Sequence, residues 1–164
     1  MSKTLLFLGL ASGLAVMARP VGAGSLPVDV LMGSPRGVRN NNPGNIEYNP
    51  VNEWQGQTGT DGRYSIFSSP FYGIRALARL IFNYRTIYGL RSVAGIVSRW
   101  APAFENDTQA YIAAVSSSIG VEPYSAVPDG KVVELVAAII HHENGQQPYS
   151  GRLIRRAVRA AGNE

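Results

Sequence analysis

The chain has 164 residues, enough for one domain and a short extra segment, and 45% of them are hydrophobic, as in chains that bury a core. A net charge of +4 and a pI near 9.6 favour anionic neighbours without choosing among envelope polymers, phospholipid headgroups and nucleic acid. There are no cysteines, which excludes disulfides and thiolate metal sites.

Before Arg36 only Lys3, Arg19 and Asp29 are charged. Lys3 is followed by the apolar run Thr4 to Ala18, which Arg19 and Pro20 end. This run is shorter than the ~20 residues of a full membrane span and matches a signal peptide better. Val21-Gly22-Ala23 offers small residues for cleavage before Gly24. A weak anchor that stays attached and a buried helix are the other readings. Residues 1–23 are therefore expected to be a signal peptide or weak anchor, acting on the inner or virion membrane through residues 1–20. Residues 24–35, rich in Gly, Pro and Ser, read as a linker, and residues 36–164 as the domain.

Arg36 to Tyr64 is too rich in Asn, Gly, Gln and Pro for a long helix, so loops and a short hairpin around Gly59 to Gly62 are expected. Tyr64-Ser65-Ile66-Phe67 fits one short strand. Helices follow. Ser69-Pro70 is a start signal for the apolar positions Phe71, Ile74, Leu77, Ala78, Ile81 and Phe82, with Gly89 as the stop. Ser92 caps a segment with Val93, Ile96, Val97 and Trp100 inward, stopped by Pro102. Asn106 or Asp107 caps the next, with Ala110, Tyr111, Ala114 and Val115 on one side and Gly120 as the stop. Asp129 is placed to cap a fourth, which carries Val132 to Ile140 and ends near Asn144-Gly145. A fifth runs from about Gly151 to Ala161. The fold class is mainly α, or α+β with a minor hairpin.

Glu143 stands apart from the other carboxylates. It ends an apolar helix, where the macrodipole and burial against Ile139 and Ile140 both disfavour its ionised form. A carboxylic acid kept protonated near neutral pH is what cleavage of a glycosidic bond requires. The alternative is an ordinary ion pair with a neighbour such as Arg152. His141 and His142 are adjacent, so they point about 100° apart and cannot chelate one metal as an i, i+4 pair can; one packed and one exposed is expected, with no metal and no cofactor. The amides of Asn40 to Asn45 suit sugar hydroxyls, and they also make turns. Trp54-Gln55 places an aromatic beside an amide. Arg152, Arg155, Arg156 and Arg159 recur at i, i+3, i+4, i+7 and form one basic face, either merely solvated or facing acidic lipid or wall polymer. No nucleic-acid motif is present, and no specific nucleic acid is expected.

The succession Arg36-Gly37-Val38-Arg39-Asn40-Asn41-Asn42-Pro43-Gly44-Asn45-Ile46, Trp54-Gln55-Gly56-Gln57, Tyr72-Gly73-Ile74-Arg75-Ala76, Arg99-Trp100-Ala101-Pro102, Glu105-Asn106-Asp107-Thr108 and His142-Glu143-Asn144-Gly145 resembles a family of phage and prophage proteins. These are described as virion structural proteins or as muralytic, lysozyme-like enzymes. Ala138 to Tyr149 is also similar to the catalytic helix end of soluble lytic transglycosylases, which finishes in Glu-Ser-Gly; Asn144 stands in place of the Ser, and the order of segments is permuted. The resemblance implies a compact lysozyme-like helical domain acting on peptidoglycan. It implies Glu143 as general acid, with Asp61 or Glu105 as a possible second carboxylate. Asn42, Asn45, Trp54, Gln55, Tyr64 and Tyr149 become candidates for glycan contact. The expected location is membrane-associated or periplasmic, or within the virion. The rival expectation is a membrane-associated virion protein or wall-glycan binder without catalysis.

Overall fold

The computed structural model describes residues 33–101 and 107–163. The expected signal or anchor segment lies outside the described residues, as does Glu105. Among the described residues no helix is long and apolar enough to cross a membrane.

The chain is mainly α with one small hairpin. In order it forms α1 (Arg36–Arg39), β1 (Gln57–Thr60), β2 (Ser65–Phe67), α2 (Pro70–Thr86), α3 (Val93–Trp100), α4 (Thr108–Ile119), α5 (Val132–Asn144) and α6 (Gly151–Gly162). The helix starts are local chemistry. Ser92 Oγ accepts from Gly95 N at 3.1 Å, Asp107 Oδ1 from Ala110 N at 3.0 Å and Ser150 Oγ from Leu153 N at 3.3 Å, each satisfying an amide that the first turn leaves free. Gly120 and Gly145 end α4 and α5 in the left-handed conformation. Asp129 departs from expectation. It makes no cap bond but opens a 3-10 turn, Asp129–Lys131, that leads into α5, while its carboxylate pairs with Arg85.

Ile74, Leu77 and Ile81 of α2 meet Ile96, Val97 and Trp100 of α3, and Leu135, Ile139 and Ile140 of α5, in one buried cluster. Each such side chain contributes about 1.5–3 kcal/mol by leaving water. α6 closes the core by laying Ile154, Ala157, Val158 and Ala161 inward and packing mainly on α2. Its four arginines, Arg152, Arg155, Arg156 and Arg159, are exposed, and Arg156 also lies 4.9 Å from the Phe71 ring centroid.

The N-terminal lobe is held to this helical body by backbone contact. β1 and β2 pair antiparallel with Thr60 opposite Ser65 and a bulge near Thr58. The four-residue helix α1 was not visible in the sequence, because one turn has no periodicity to read. Gly73 makes the docking possible: a Cβ there would stand 1.9 Å from the Asn41 carbonyl oxygen.

Candidate functional site

Three segments that are remote in sequence converge on the carboxyl group of Glu143. Trp100, the last residue of α3, donates its indole Nε1–H to Oε1 at 3.0 Å. Tyr111 of α4 donates its hydroxyl to the same oxygen at 2.9 Å. Asn45, from the loop after α1, donates Nδ2 to Oε2 at 3.1 Å. Trp100 and Tyr111 are buried while Glu143 is half-buried, so the acid sits at the edge of the core. Its partners are three neutral donors rather than Arg152.

Burial raises the Glu143 pKa above the ordinary carboxylate value; the bonds from Trp100, Asn45 and Tyr111 pull the other way without cancelling it. Its position at the C-terminal end of α5 adds the unfavourable end of the helix dipole. Oε1 already has two donors, which occupy both its lone pairs, so the proton belongs on Oε2. His142 stacks on Tyr111, with ring centroids 3.6 Å apart and planes at 17°, and burial lowers its pKa. His141 is exposed, so the two histidines divide as expected. Among the described residues there is no cluster of three or more His, Cys, Asp or Glu that would hold a metal.

Asp61 sits elsewhere, in the hairpin turn. Its carboxylate accepts from Arg36 Nε and Asn40 Nδ2 at 2.6 Å each, and from the amides of Arg63 and Tyr64 at 3.1 and 2.9 Å. Burial works against ionisation here too. The Arg36 guanidinium and the other donors outweigh it and hold the carboxyl well below the usual range. The fold itself accounts for this residue, which ties the turn to α1.

The structure separates the other candidates. Asn42 is fully buried; it accepts from Ile46 N and donates to the carbonyls of Ile46 and Ser65, all at 2.9 Å. It shapes the loop that delivers Asn45. Tyr64 is buried, with Arg36 and Arg63 stacked over its ring at 4.6 and 5.0 Å. Tyr149 is half-buried, and burial pushes its hydroxyl pKa up to about 12. Trp54 and Gln55 line a separate open cleft of about 380 Å³ with Glu53, Arg75, Arg79 and Asn83. Arg75, Arg79 and Asn83 recur every four residues along α2, roughly 200° round the helix from the Gly73–Leu77 face that meets the Asn-rich loop. The sequence pattern places Trp100 inward and Tyr111 on one side of its helix with Ala110, Ala114 and Val115. Nothing in their spacing shows that their polar tips meet Glu143.

No family model matches the chain. It is 36% identical over 154 residues to Protein P5 of Pseudoalteromonas phage PM2, covering 92% of this chain and 91% of that protein. The chain belongs to that phage protein family. Membership rests on almost the full length of both proteins, so the helical body, the Asn-rich loop and Glu143 all fall within a chain of the same extent.

Proposed function

We propose that this phage-family protein cleaves the glycan strands of peptidoglycan, with Glu143 as the general acid. The observation that carries the reading is the Glu143 cluster: a carboxyl whose pKa is raised by burial, with Oε1 fixed by Trp100 and Tyr111 and Oε2 left to carry the proton. In the reaction, Oε2 gives its proton to the glycosidic oxygen. The bond to the anomeric carbon breaks with its electron pair going to that oxygen. The substrate's own hydroxyl then closes on the anomeric carbon and gives up its proton to the now ionised Glu143 Oε2, as in a lytic transglycosylase. This course follows the likeness of Ala138 to Tyr149 to a transglycosylase helix end, and Asp61, one candidate for a second carboxylate, is committed to Arg36. The apolar N-terminal run would bring the domain to a membrane beside the wall, and the α6 arginines would face acidic lipid or wall polymer.

A second reading is a phage component that binds wall glycan or other phage proteins without catalysis. It is favoured by the completeness of the Glu143 hydrogen bonds, which an acid with a purely structural role would also have. Zymography on purified peptidoglycan separates the two. Clearing by the wild type that Glu143→Gln abolishes supports cleavage. Absence of clearing across a broad pH range, with retained sedimentation on insoluble wall, supports binding.

A further inference from the structure

Two buried side-chain oxygens near Glu143, Asn45 Oδ1 and Asn144 Oδ1, have no hydrogen-bond partner. They share one small space. A Cβ built on Gly37 would stand 2.8 Å from each of them and 2.8 Å from the Asn42 carbonyl oxygen. Any two of these oxygens therefore lie within twice that distance, around a residue with no side chain. The Asn42 carbonyl already accepts from Asn45 N at 2.9 Å, so the acceptors without a donor are the two amide oxygens; buried acceptors in that state are costly, and native folds pair nearly all of them.

Asn144 cannot supply the missing donor. Its Nδ2 donates to the carbonyls of Pro43 and Ile140 at 2.8 Å each, and turning its amide would break both bonds. Asn45 has only its bond to Glu143 Oε2 at stake. A half-turn of the Asn45 amide points its NH2 toward Asn144 Oδ1 and the Asn42 carbonyl. It also presents Oδ1 to Glu143 Oε2. Two acceptors cannot face each other, so this arrangement requires a proton on Oε2. Oε1 cannot carry it, because Trp100 and Tyr111 already donate there.

We infer that Asn45 is a two-state positioning residue. Its amide donates to ionised Glu143; after a half-turn it accepts from protonated Glu143 and gives its NH2 to the unpaired Asn144 Oδ1 beside Gly37. Each protonation state of the acid thereby has a matched partner. The coupling stands on the geometry of Asn45, Asn144 and Gly37 and does not depend on glycan cleavage. Within the cleavage reading, Asn45 holds the proton at rest and turns back to donate to the carboxylate as the proton leaves.

The groups facing Glu143 come from several elements. α3 contributes Trp100, which does not titrate. α4 contributes Tyr111, whose pKa burial raises well above its ordinary value. α5 contributes His142 against Tyr111, and the hairpin contributes Tyr64 under Arg36 and Arg63. His142 is the neighbour that titrates on the acid side of neutrality. A chemical shift at Tyr111 therefore cannot report Glu143 alone, and the decisive signals are those of Asn45 and Gly37.

The test is nuclear magnetic resonance on the full chain labelled with ¹³C and ¹⁵N, following the Glu143 carboxyl carbon and the Asn45 side-chain amide across pH. Below the Glu143 midpoint the Asn45 amide protons should show a strong Overhauser contact to Gly37 Hα, which weakens above it with the same midpoint. In Glu143→Gln, Trp100 and Tyr111 keep the glutamine oxygen on their side. The glutamine NH2 then faces Asn45 as a permanent donor, and the contact to Gly37 should persist at every pH. An Asn45–Gly37 contact that does not change across the wild-type midpoint would overturn the inference, as would one that still varies with pH in Glu143→Gln. A negative wall-lysis assay leaves these signals untouched, so failure of the cleavage reading and failure of the coupling are told apart.

Discussion

Asp61 and Glu143 each collect at least three hydrogen bonds, yet their proton affinities move in opposite directions. Asp61 has a guanidinium and two backbone amides among its donors and keeps some contact with water in an exposed turn. Glu143 has only neutral side-chain donors, less solvent and the carbonyl end of a helix. Counting bonds would make them equivalent. The difference lies in whether the surroundings supply positive charge when the carboxyl gives up its proton. One site is built to stay ionised and hold a turn; the other is built to keep a proton.

The sharpest way to break this contrast is to exchange the roles of the two acids. Glu143→Gln should lower wall lysis by about 10²–10⁴-fold, the usual scale for loss of a general acid, while Asp61→Asn should leave lysis near wild type; rates of turbidity loss on purified wall measure both. In stability the order reverses. Asp61→Asn removes the charge that Arg36 pairs with and should cost about 2 kcal/mol, within the range for hydrogen bonds to charged groups, read from the urea midpoint.

The pH dependences should have opposite signs. The folded-state pKa of Asp61 is depressed, so its stabilisation is present above the unfolded-state pKa and is lost as pH falls through the folded one. The deficit of Asp61→Asn should therefore shrink in acid. For Glu143 the folded-state pKa is raised, so its contribution is present below the unfolded-state pKa and is lost as pH rises through the folded one. Glu143→Gln should gain melting temperature relative to wild type as pH rises from acid to neutral; a constant difference would show that the carboxyl keeps its ordinary pKa. The smallest effect is a shift in profile. Trp100→Phe removes a donor that favours the ionised form, so the Glu143 midpoint should move further up, extending any lysis toward higher pH.

The helices from α2 to α6 were legible because an apolar face recurs along each, flanked by a start signal and a stop in α2, α3 and α4 and by a stop in α5. Glu143 was legible for the same reason: its distinction is its place at the end of an apolar helix. Its partners were not. Trp100 and Tyr111 look like core residues, and they are core residues; that their indole and hydroxyl meet one carboxylate depends on how α3 and α4 pack against α5. Among the amides, Asn40, Asn41 and Asn42 bond within the lobe, as the turn reading of that segment anticipates. Asn45 shares a left-handed backbone with Asn41, with φ of 47° and 52°, but it is Asn45 whose amide reaches Glu143 on α5. No pattern of residue types separates it from its neighbours. Asp129 was misplaced as a cap because the sequence does not show Arg85 waiting 44 positions away.

The bonds that define Glu143 span 32, 43 and 98 positions of the chain. The two shorter loops close within the helical body, and the longest closes only when the Asn-rich lobe docks against the end of α5. Long-range closure sacrifices more chain entropy before any contact offsets it. The asparagine contact is therefore the one with the largest closure cost, and it depends on the lobe being docked. The finished proton site thus requires the lobe and the helical body together, and reports complete folding rather than helix formation.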